Sequence, residues 1–327
     1  MAINRDIAVA AIFGDPVGHS KSPAMHNAAY AALGMSRTYA AFRVSAGNLA
    51  AALRGIPALG IIGVNLTVPH KESAARLIKD LSGEARMLGA VNCVVNRRGV
   101  LRGDNTDARG LERDLGDLGC ELRGRLAIVI GAGGGAAASV LACIRLGASR
   151  VVIANRTPAR AAALAQRFSS KGARTAGEPR GLDALMDSEL LADARLIVNA
   201  TSMGLTTGRF ARLDYDSTPA DCLFYDLIYS REPTEFMKPA LAAGRNAADG
   251  AGMLVNQGEL AFKLFNRVAP LAGVMRAALL EALGSYRSGA FIIPAGNPAS
   301  EVQLALGINP GMPVFTTGLS LTRVLIP

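Results

Sequence analysis

The segment Gly131-Ala132-Gly133-Gly134-Gly135 carries residue types and spacing that suit one kind of chemistry, the cradling of phosphate. It follows an apolar run over 125–130 and precedes a small-residue stretch reaching Leu146, which read as a strand and a helix. Glycines let the backbone turn sharply and approach a pyrophosphate. The helix N-terminus then offers free N–H groups and the positive end of its dipole. Packing of small residues would explain the glycines in isolation, but their place between strand and helix favours a dinucleotide. NAD sites carry a carboxylate roughly twenty residues further on for the ribose 2′-hydroxyl. Here the next strand ends in Asn155-Arg156-Thr157, with Arg160 one turn later. A carboxylate would repel a 2′-phosphate, whereas guanidinium and hydroxyl groups would bind it, so NADP is expected rather than NAD. The plainer account of the two arginines is a solvated helix start.

A second set of polar residues stands where buried strands ought simply to end in turns. Ser20 and Ser22 lie in Gly18-His19-Ser20-Lys21-Ser22-Pro23, and Asn65 and Thr67 bracket Leu66 at the end of an apolar strand. Lys71 follows Pro69-His70, Asn92 falls within a strand, and Asn105-Thr106-Asp107 opens a helix. Each has a bland explanation alone: the serines as caps, Asp107 as a first-turn dipole partner, Lys71 as a solvated surface lysine.

The elements that must position these residues alternate between β-branched runs and Ala/Leu-rich segments. A strand over 7–13 leads to a helix over 23–33, with Ser22 as its cap and Gly34 closing it. A strand over 39–44, a helix over 46–53 and a buried strand over 60–66 follow. Pro69 suits the first turn of a helix reaching about Leu81. Segments 90–96 and 100–103 form a hairpin about a tight turn at 97–99. The expectation is α/β, with a mainly parallel sheet in the N-terminal domain. After a helix over 106–118 a second series begins, with strands over 125–130, 151–154, 196–200, 223–226 and 246–248 and a helix over 158–168. That rhythm predicts a Rossmann-like, doubly wound domain for NADP. Late helices cover 260–265 and 275–283. The domain plan is therefore 1–105 joined by late helices at about 255–284, then 106–254, and an atypical tail over 285–327 that is rich in Gly and Pro and carries no motif.

Composition narrows the classes. The chain has 327 residues, which at roughly 150 per domain makes about two domains. Half the residues are apolar and 19% charged, which excludes a disordered or fibrous chain. The net charge of +9 comes from scattered arginines, with no run longer than Arg97-Arg98 and only 5% aromatics. A nucleic-acid binder would concentrate both, so the charge reads as attraction for an anionic small molecule and no nucleic acid is expected. Four cysteines at 93, 120, 143 and 222 and three histidines at 19, 26 and 70 show no metal spacing, so no metal is expected. Reduced thiols point to the cytoplasm. The uncharged stretch 126–144 approaches a membrane span in length, but its glycine loop splits it, and no membrane element is expected.

The polar set and the cofactor loop together resemble the NADP-dependent shikimate dehydrogenase family over about residues 8–284. The resemblance rests on Ser20 to Asn27 (Ser-x-Ser-Pro-x-x-His-Asn), Asn65-x-Thr67-x-Pro69-His70-Lys71, Gly89-Ala90-Val91-Asn92 and Asn105-Thr106-Asp107. On the cofactor side it rests on the glycine loop, Asn155-Arg156-Thr157, Asn199 to Gly204, and Asp249-Gly250 to Gln257. It implies reversible reduction of 3-dehydroshikimate to shikimate by NADPH in chorismate and aromatic amino-acid biosynthesis. It also implies Lys71 and Asp107 as the catalytic pair. Ser20 and Ser22 would hold the substrate carboxylate, and Thr67, Asn92, Asp107 and Gln257 would bond its hydroxyls, with Asn65 and Tyr229 contributing. Thr201, Met203, Leu227 and Gly250 would line the nicotinamide half of the cofactor.

Two departures are small: Cys93 replaces the family's usual threonine after Asn92, and Ala108 its usual glycine after Asp107. The tail beyond Ser285 extends past the usual family end. The competing readings are a quinate/shikimate dehydrogenase of mixed specificity and a non-catalytic basic binding protein on the same fold. Asn155-Arg156-Thr157 argues against the first, and the presence of both Lys71 and Asp107 against the second. Family members occur as monomers and dimers, which leaves room for a homodimer.

Overall fold

The computed structural model describes residues 7–169, 177–203 and 210–284, together with the backbone of three short strands beyond them. The chain divides into two compact units. One comprises Met1–Gly110 and Leu254–Ala282, the other Leu111–Met253 and Leu283–Pro327.

In the first unit, β1 (Ala8–Gly14) lies between β2 (Arg37–Arg43) and β3 (Gly63–Leu66), parallel to both. Its residues Ala10 to Phe13 are all buried, the continuous apolar run of a strand covered on both faces. The sheet continues through β5 (Cys93–Arg97) and β6 (Val100–Asp104) to β4 (Asp80–Leu81), in the order β2-β1-β3-β5-β6-β4. β5 runs antiparallel to both β3 and β6, while β4 is parallel to β6, so three of the five pairings are parallel. The β5–β6 hairpin turns through Arg98 and Gly99, both at positive φ, as a tight turn matched to strand twist requires.

Around the sheet stand α1 (Ser22–Ala32), α2 (Leu49–Ala58), α3 (Lys71–Leu77), α4 (Gly83–Leu88), α10 (Ala251–Asn266) and α11 (Val274–Leu283). Leu49, Leu53 and Ile56 of α2 bury against Val64, Leu66 and Val94. α10 packs directly on β3: a Cβ at Gly63 would collide with the Phe265 ring, so no side chain fits there.

Several expectations are corrected here. Ser22 is not a cap but the first residue of α1, buried, with Lys21 at the capping position and no side-chain cap bond. The helix expected from Pro69 to Leu81 covers only Lys71–Leu77, because Ile78 turns extended and Asp80–Leu81 pairs with Arg102–Gly103. α4 has no counterpart in the sequence reading; Ser82 caps it by accepting from the Ala85 N–H. The second helix starts at Leu49 after a single turn of 3₁₀ helix over Ala46–Asn48. Asn92 stands in a bend just before β5 rather than within the strand.

In the second unit, the six-stranded sheet has only parallel pairings. Its strands are β7 (Leu126–Ile130), β8 (Arg150–Ala154), β9 (Gly177–Arg180), β10 (Ala194–Asn199), β11 (Leu223–Asp226) and β12 (Asn246–Ala248). They lie in the order β12-β11-β10-β7-β8-β9. The progression reverses between β7 and β10, the crevice where doubly wound sheets bind ligands. The connecting helices are α5 (Asp107–Asp117), α6 (Gly134–Arg145), α7 (Pro158–Phe168), the short α8 (Ser188–Leu191) and α9 (Met237–Ala242). The unit boundaries fall inside α5, α10 and α11. Ile128, Ile130, Val152, Ile197 and Phe224 form the centre of the core. β9 escapes the sequence reading because Pro179 sits within it, a residue tolerated only in an edge strand, which β9 is.

Three further segments pair antiparallel as β13 (Phe291–Pro294), β15 (Leu321–Val324) and β14 (Phe315–Thr316), in that order. The remainder of the 285–327 tail, like Gly204, lies outside the described residues. Among those described, no helix is long and apolar enough to cross a membrane.

Candidate active site and cofactor cradle

In the first unit, Lys71 and Asp107 each occupy the first position of a helix, α3 and α5. The Lys71 ammonium donates to Asp107 Oδ2 at 2.7 Å. The lysine side chain is 27% exposed and the aspartate 7%, so the cation keeps an open face while its partner is enclosed. Asn92 completes the arrangement. Its amide nitrogen donates to Asp107 Oδ1 at 2.7 Å and to the Thr106 hydroxyl at 2.9 Å, and its oxygen accepts from the Thr106 N–H at 2.8 Å. Gln257 Oε1, presented by α10, lies 3.4 Å from the same amide nitrogen.

The backbone around this pair is fastened from several sides. The Lys71 carbonyl accepts from the Val91 N–H, and the Asn92 carbonyl from Leu66. Asn105 accepts from the Asp107 N–H and donates to the Ala90 carbonyl. Asp104 accepts from Ser82, the Asn105 N–H and Arg109, and Arg109 also bridges to Glu84. The turn that presents Asp107 is therefore held by charge-assisted bonds. Cys93 and Ala108, the two departures, are both fully buried, and burial pushes the Cys93 thiol well up, so it stays protonated.

Asn65 joins the same network by donating to the Asn92 carbonyl at 3.1 Å, and accepts from the Tyr39 hydroxyl at 2.8 Å. Thr67 is half-buried two residues on; its N–H donates to the Phe13 carbonyl, and its methyl group fills the space a Cβ at Gly14 would need. Ser20 accepts from the Ser22 N–H at 3.3 Å, which places the two hydroxyl-bearing residues together at the start of α1. Thus Lys71, Asp107, Asn92, Asn65 and Gln257 belong to one hydrogen-bonded cluster, Ser20 and Ser22 to a local pair, and Thr67 to the adjoining turn. Tyr229 lies in the second unit, half-buried beyond β11.

In the second unit, Gly131 has φ of 120°, and a Cβ there would press on the Ala200 carbonyl and the Thr201 methyl group at 3.1 Å. Around Gly133 and Gly134 an added Cβ meets nothing within 4 Å. Gly133 stands at the cap of α6 and has no side chain to take the first-turn N–H groups. A cradle open at the glycines, with uncapped N–H groups on a twelve-residue helix, fits a pyrophosphate. Ala132 and Gly135 complete the loop, the latter close to Leu227. At the end of β8, Asn155 donates to the Thr157 carbonyl, and Arg156 and Arg160 are exposed and make no ion pair among the described residues. They fit the 2′-phosphate of NADP.

Two loops beyond β10 and β11 are joined by residues that have no role in the sequence reading. Asn199 accepts from the N–H and hydroxyl of Thr201 and donates to Asp226 at 2.9 Å, and Thr201 accepts from the Met203 N–H. Asp226 also accepts from the Ile228 N–H and the Thr234 hydroxyl. Burial raises its carboxyl to about 6, partly offset by these donors. Gly250 donates to the Ile228 carbonyl, and a Cβ there would strike the Leu227 carbonyl. Asn199 stands within a motif that carries the family resemblance, which is the available signal. Asp226 and Tyr39 end or fill apolar strands and give none.

Three family models match the chain. The shikimate dehydrogenase substrate binding domain matches residues 12–94, the shikimate / quinate 5-dehydrogenase model 115–227, and the shikimate 5′-dehydrogenase C-terminal domain 250–280. The shikimate dehydrogenase (NADP(+)) of Citrifermentans bemidjiense is 40% identical over 280 residues, 85% of this chain and 97% of that protein. The structure of shikimate 5-dehydrogenase from Thermus thermophilus, in complex with NADP(H) and shikimate, is similar at a TM-score of 0.75 and 37% identity, covering 85% of this chain and all of that one. The ligand-free 5-ketofructose reductase of a Gluconobacter strain is similar at a TM-score of 0.76 and 29% identity, over 85% of this chain and 99% of its own.

Proposed function

Because this chain belongs to the shikimate dehydrogenase family, we propose that it catalyses the reversible, NADPH-dependent reduction of 3-dehydroshikimate to shikimate in chorismate and aromatic amino-acid biosynthesis. The observation that carries the reading is the Lys71–Asp107 pair at 2.7 Å, with the second carboxylate oxygen held by Asn92. The nicotinamide supplies hydride to the carbonyl carbon. As charge gathers on the carbonyl oxygen, the Lys71 ammonium stabilises it and gives it a proton, and the neutral amine is then reprotonated from water. Asp107 aims that ammonium.

In this reading the first unit handles substrate and the second holds cofactor. Ser20 and Ser22 donate hydroxyl hydrogens to the substrate carboxylate. Asn65, Thr67, Asn92, Asp107 and Gln257 bond the ring hydroxyls, where a mismatched analogue would leave a buried polar group unpaired at a cost of about 1–3 kcal/mol. The N–H groups of Ala132 to Gly135 take the pyrophosphate, while that of Gly131 donates to the Ala154 carbonyl and holds the turn. Asn155, Arg156, Thr157 and Arg160 take the ribose phosphate, and Thr201, Met203, Leu227 and Gly250 flank the nicotinamide.

The test is NADPH formation with shikimate, with quinate and NAD as controls on the same protein. Rapid turnover restricted to shikimate and NADP is expected. Turnover with quinate and NAD would instead assign mixed specificity and remove the role given to Arg156. The four buried, unpaired cysteines suit the reducing cytoplasm as the place of action. A homodimer is the assembly to test by light scattering, and a monomeric mass would discard it.

A further inference from the structure

His26 and Asn27 end the Ser-x-Ser-Pro-x-x-His-Asn segment, yet neither has a part in the chemistry described above. Both act on Tyr39. The Asn27 amide brackets the tyrosine backbone, donating to its carbonyl at 2.9 Å and accepting from its N–H at 2.8 Å. The His26 ring lies flat against the Tyr39 ring, with centroids 4.1 Å apart and planes 16° from parallel. Burial holds the histidine neutral, at about 3, so the stack carries no charge.

The tyrosine so fixed is 2% exposed, and its hydroxyl donates to Asn65 Oδ1 at 2.8 Å. Burial keeps the phenol protonated and therefore a donor. The consequence for Asn65 is directional. Its oxygen faces Tyr39, and one amide hydrogen is taken by the Asn92 carbonyl at 3.1 Å. Flipping the amide would set its oxygen against the Asn92 carbonyl and take away the acceptor of the phenol hydrogen. One N–H is left over, and it can only donate. The Ser22 side chain neighbours the same phenol, so the ring stands between two residues assigned to substrate.

We propose that Tyr39, locked by His26 and Asn27, is a positioning residue that fixes the Asn65 amide as a hydrogen-bond donor toward a substrate hydroxyl. The inference rests on Asn65 being a substrate contact, and the experiment separates the two. Steady-state kinetics for shikimate are measured on Tyr39→Phe, Asn65→Ala and the double variant, with the KM for NADP and the melting temperature recorded alongside. Phe keeps the ring, the stack and the volume. Tyr39→Phe is expected to raise the KM for shikimate about five- to twenty-fold with kcat and the KM for NADP little changed. In the Asn65→Ala background the same substitution should change KM by less than about two-fold.

An unchanged shikimate KM in Asn65→Ala would overturn the substrate contact, and the role of Tyr39 with it. A raised KM in Asn65→Ala with none in Tyr39→Phe, or effects that multiply in the double variant, would overturn the role of Tyr39 alone. Equal losses in kcat, NADP affinity and melting temperature would mark Tyr39 as merely structural and overturn the proposal as well.

Discussion

Asn92 and Lys71 divide the Asp107 carboxylate between them, one oxygen each, both at 2.7 Å. The carboxylate therefore cannot rotate toward solvent or away from the ammonium without breaking a charge-assisted bond. Asn92→Ala would leave that oxygen and the Thr106 N–H without their partner in a buried place. The expected loss is about 1–3 kcal/mol of stability in urea denaturation. Turnover should fall at least about ten-fold as Asp107 loses its fixed direction. A variant with wild-type stability and turnover would show that Asn92 does not orient the pair.

Lys71→Ala removes the ammonium but leaves the residues assigned to cofactor untouched, since all of them belong to the other unit. Turnover should drop by about 10²–10⁴-fold. NADPH binding, followed by nicotinamide fluorescence, should persist. Near-normal turnover would dismiss the assigned role, and loss of NADPH binding would mean that the substitution disturbs more than the chemical step.

Gly133 offers a sharper test of the cradle than the glycines with positive φ. A methyl group there meets nothing within 4 Å, and the backbone φ of −98° is open to any residue. Gly133→Ala should therefore fold, with a loss of stability of about 0.5–1 kcal/mol for the poorer cap. Its methyl group would nevertheless stand in the space a pyrophosphate needs, so the KM for NADP should rise about ten-fold or more. Wild-type affinity in this variant would move the pyrophosphate elsewhere. Arg156→Ala should raise the KM for NADP and leave that for NAD alone, since only the former carries the 2′-phosphate.

The alternation of apolar runs with small-residue segments makes the α/β class and most of the second unit's strands legible, because buried parallel strands advertise themselves as unbroken hydrophobic runs. The glycine loop is legible because a run of glycines between a strand and a helix marks a phosphate turn, and Gly131 has a φ of 120° that glycine alone adopts readily. What stays hidden are arrangements set by pairing across distance. β4 takes residues from an apparent helix because Asp80 and Leu81 find Arg102 and Gly103. The Asn199–Asp226 link joins residues 27 positions apart. Lys71, Asp107, Asn65 and Asn92 can be singled out as polar residues at strand ends, but their roles enter through resemblance to a family. Tyr39 looks like an ordinary strand residue, and only the partner at its hydroxyl distinguishes it.

Asp226 gives a prediction in pH. Burial raises its carboxyl from 3.8 to about 6, against the donors Thr234, Ile228 and Asn199, with Asp249 adding to the rise. Between those values the folded protein binds more protons than the unfolded chain. Its contribution to stability is therefore complete below about 4 and is lost as pH rises through about 6. His26 has the opposite sign: burial lowers it from 6.5 to about 3, so its contribution is complete above 6.5 and lost as pH falls. The two oppose each other in a single melting curve, which makes the difference between wild type and Asp226→Asn the informative quantity. His26 is common to both proteins and cancels. The melting-temperature advantage of the wild type over Asp226→Asn should shrink steadily between about pH 4 and pH 7. An advantage that stays flat, or grows with pH, would mean that the folded protein holds this carboxylate at or below its ordinary value.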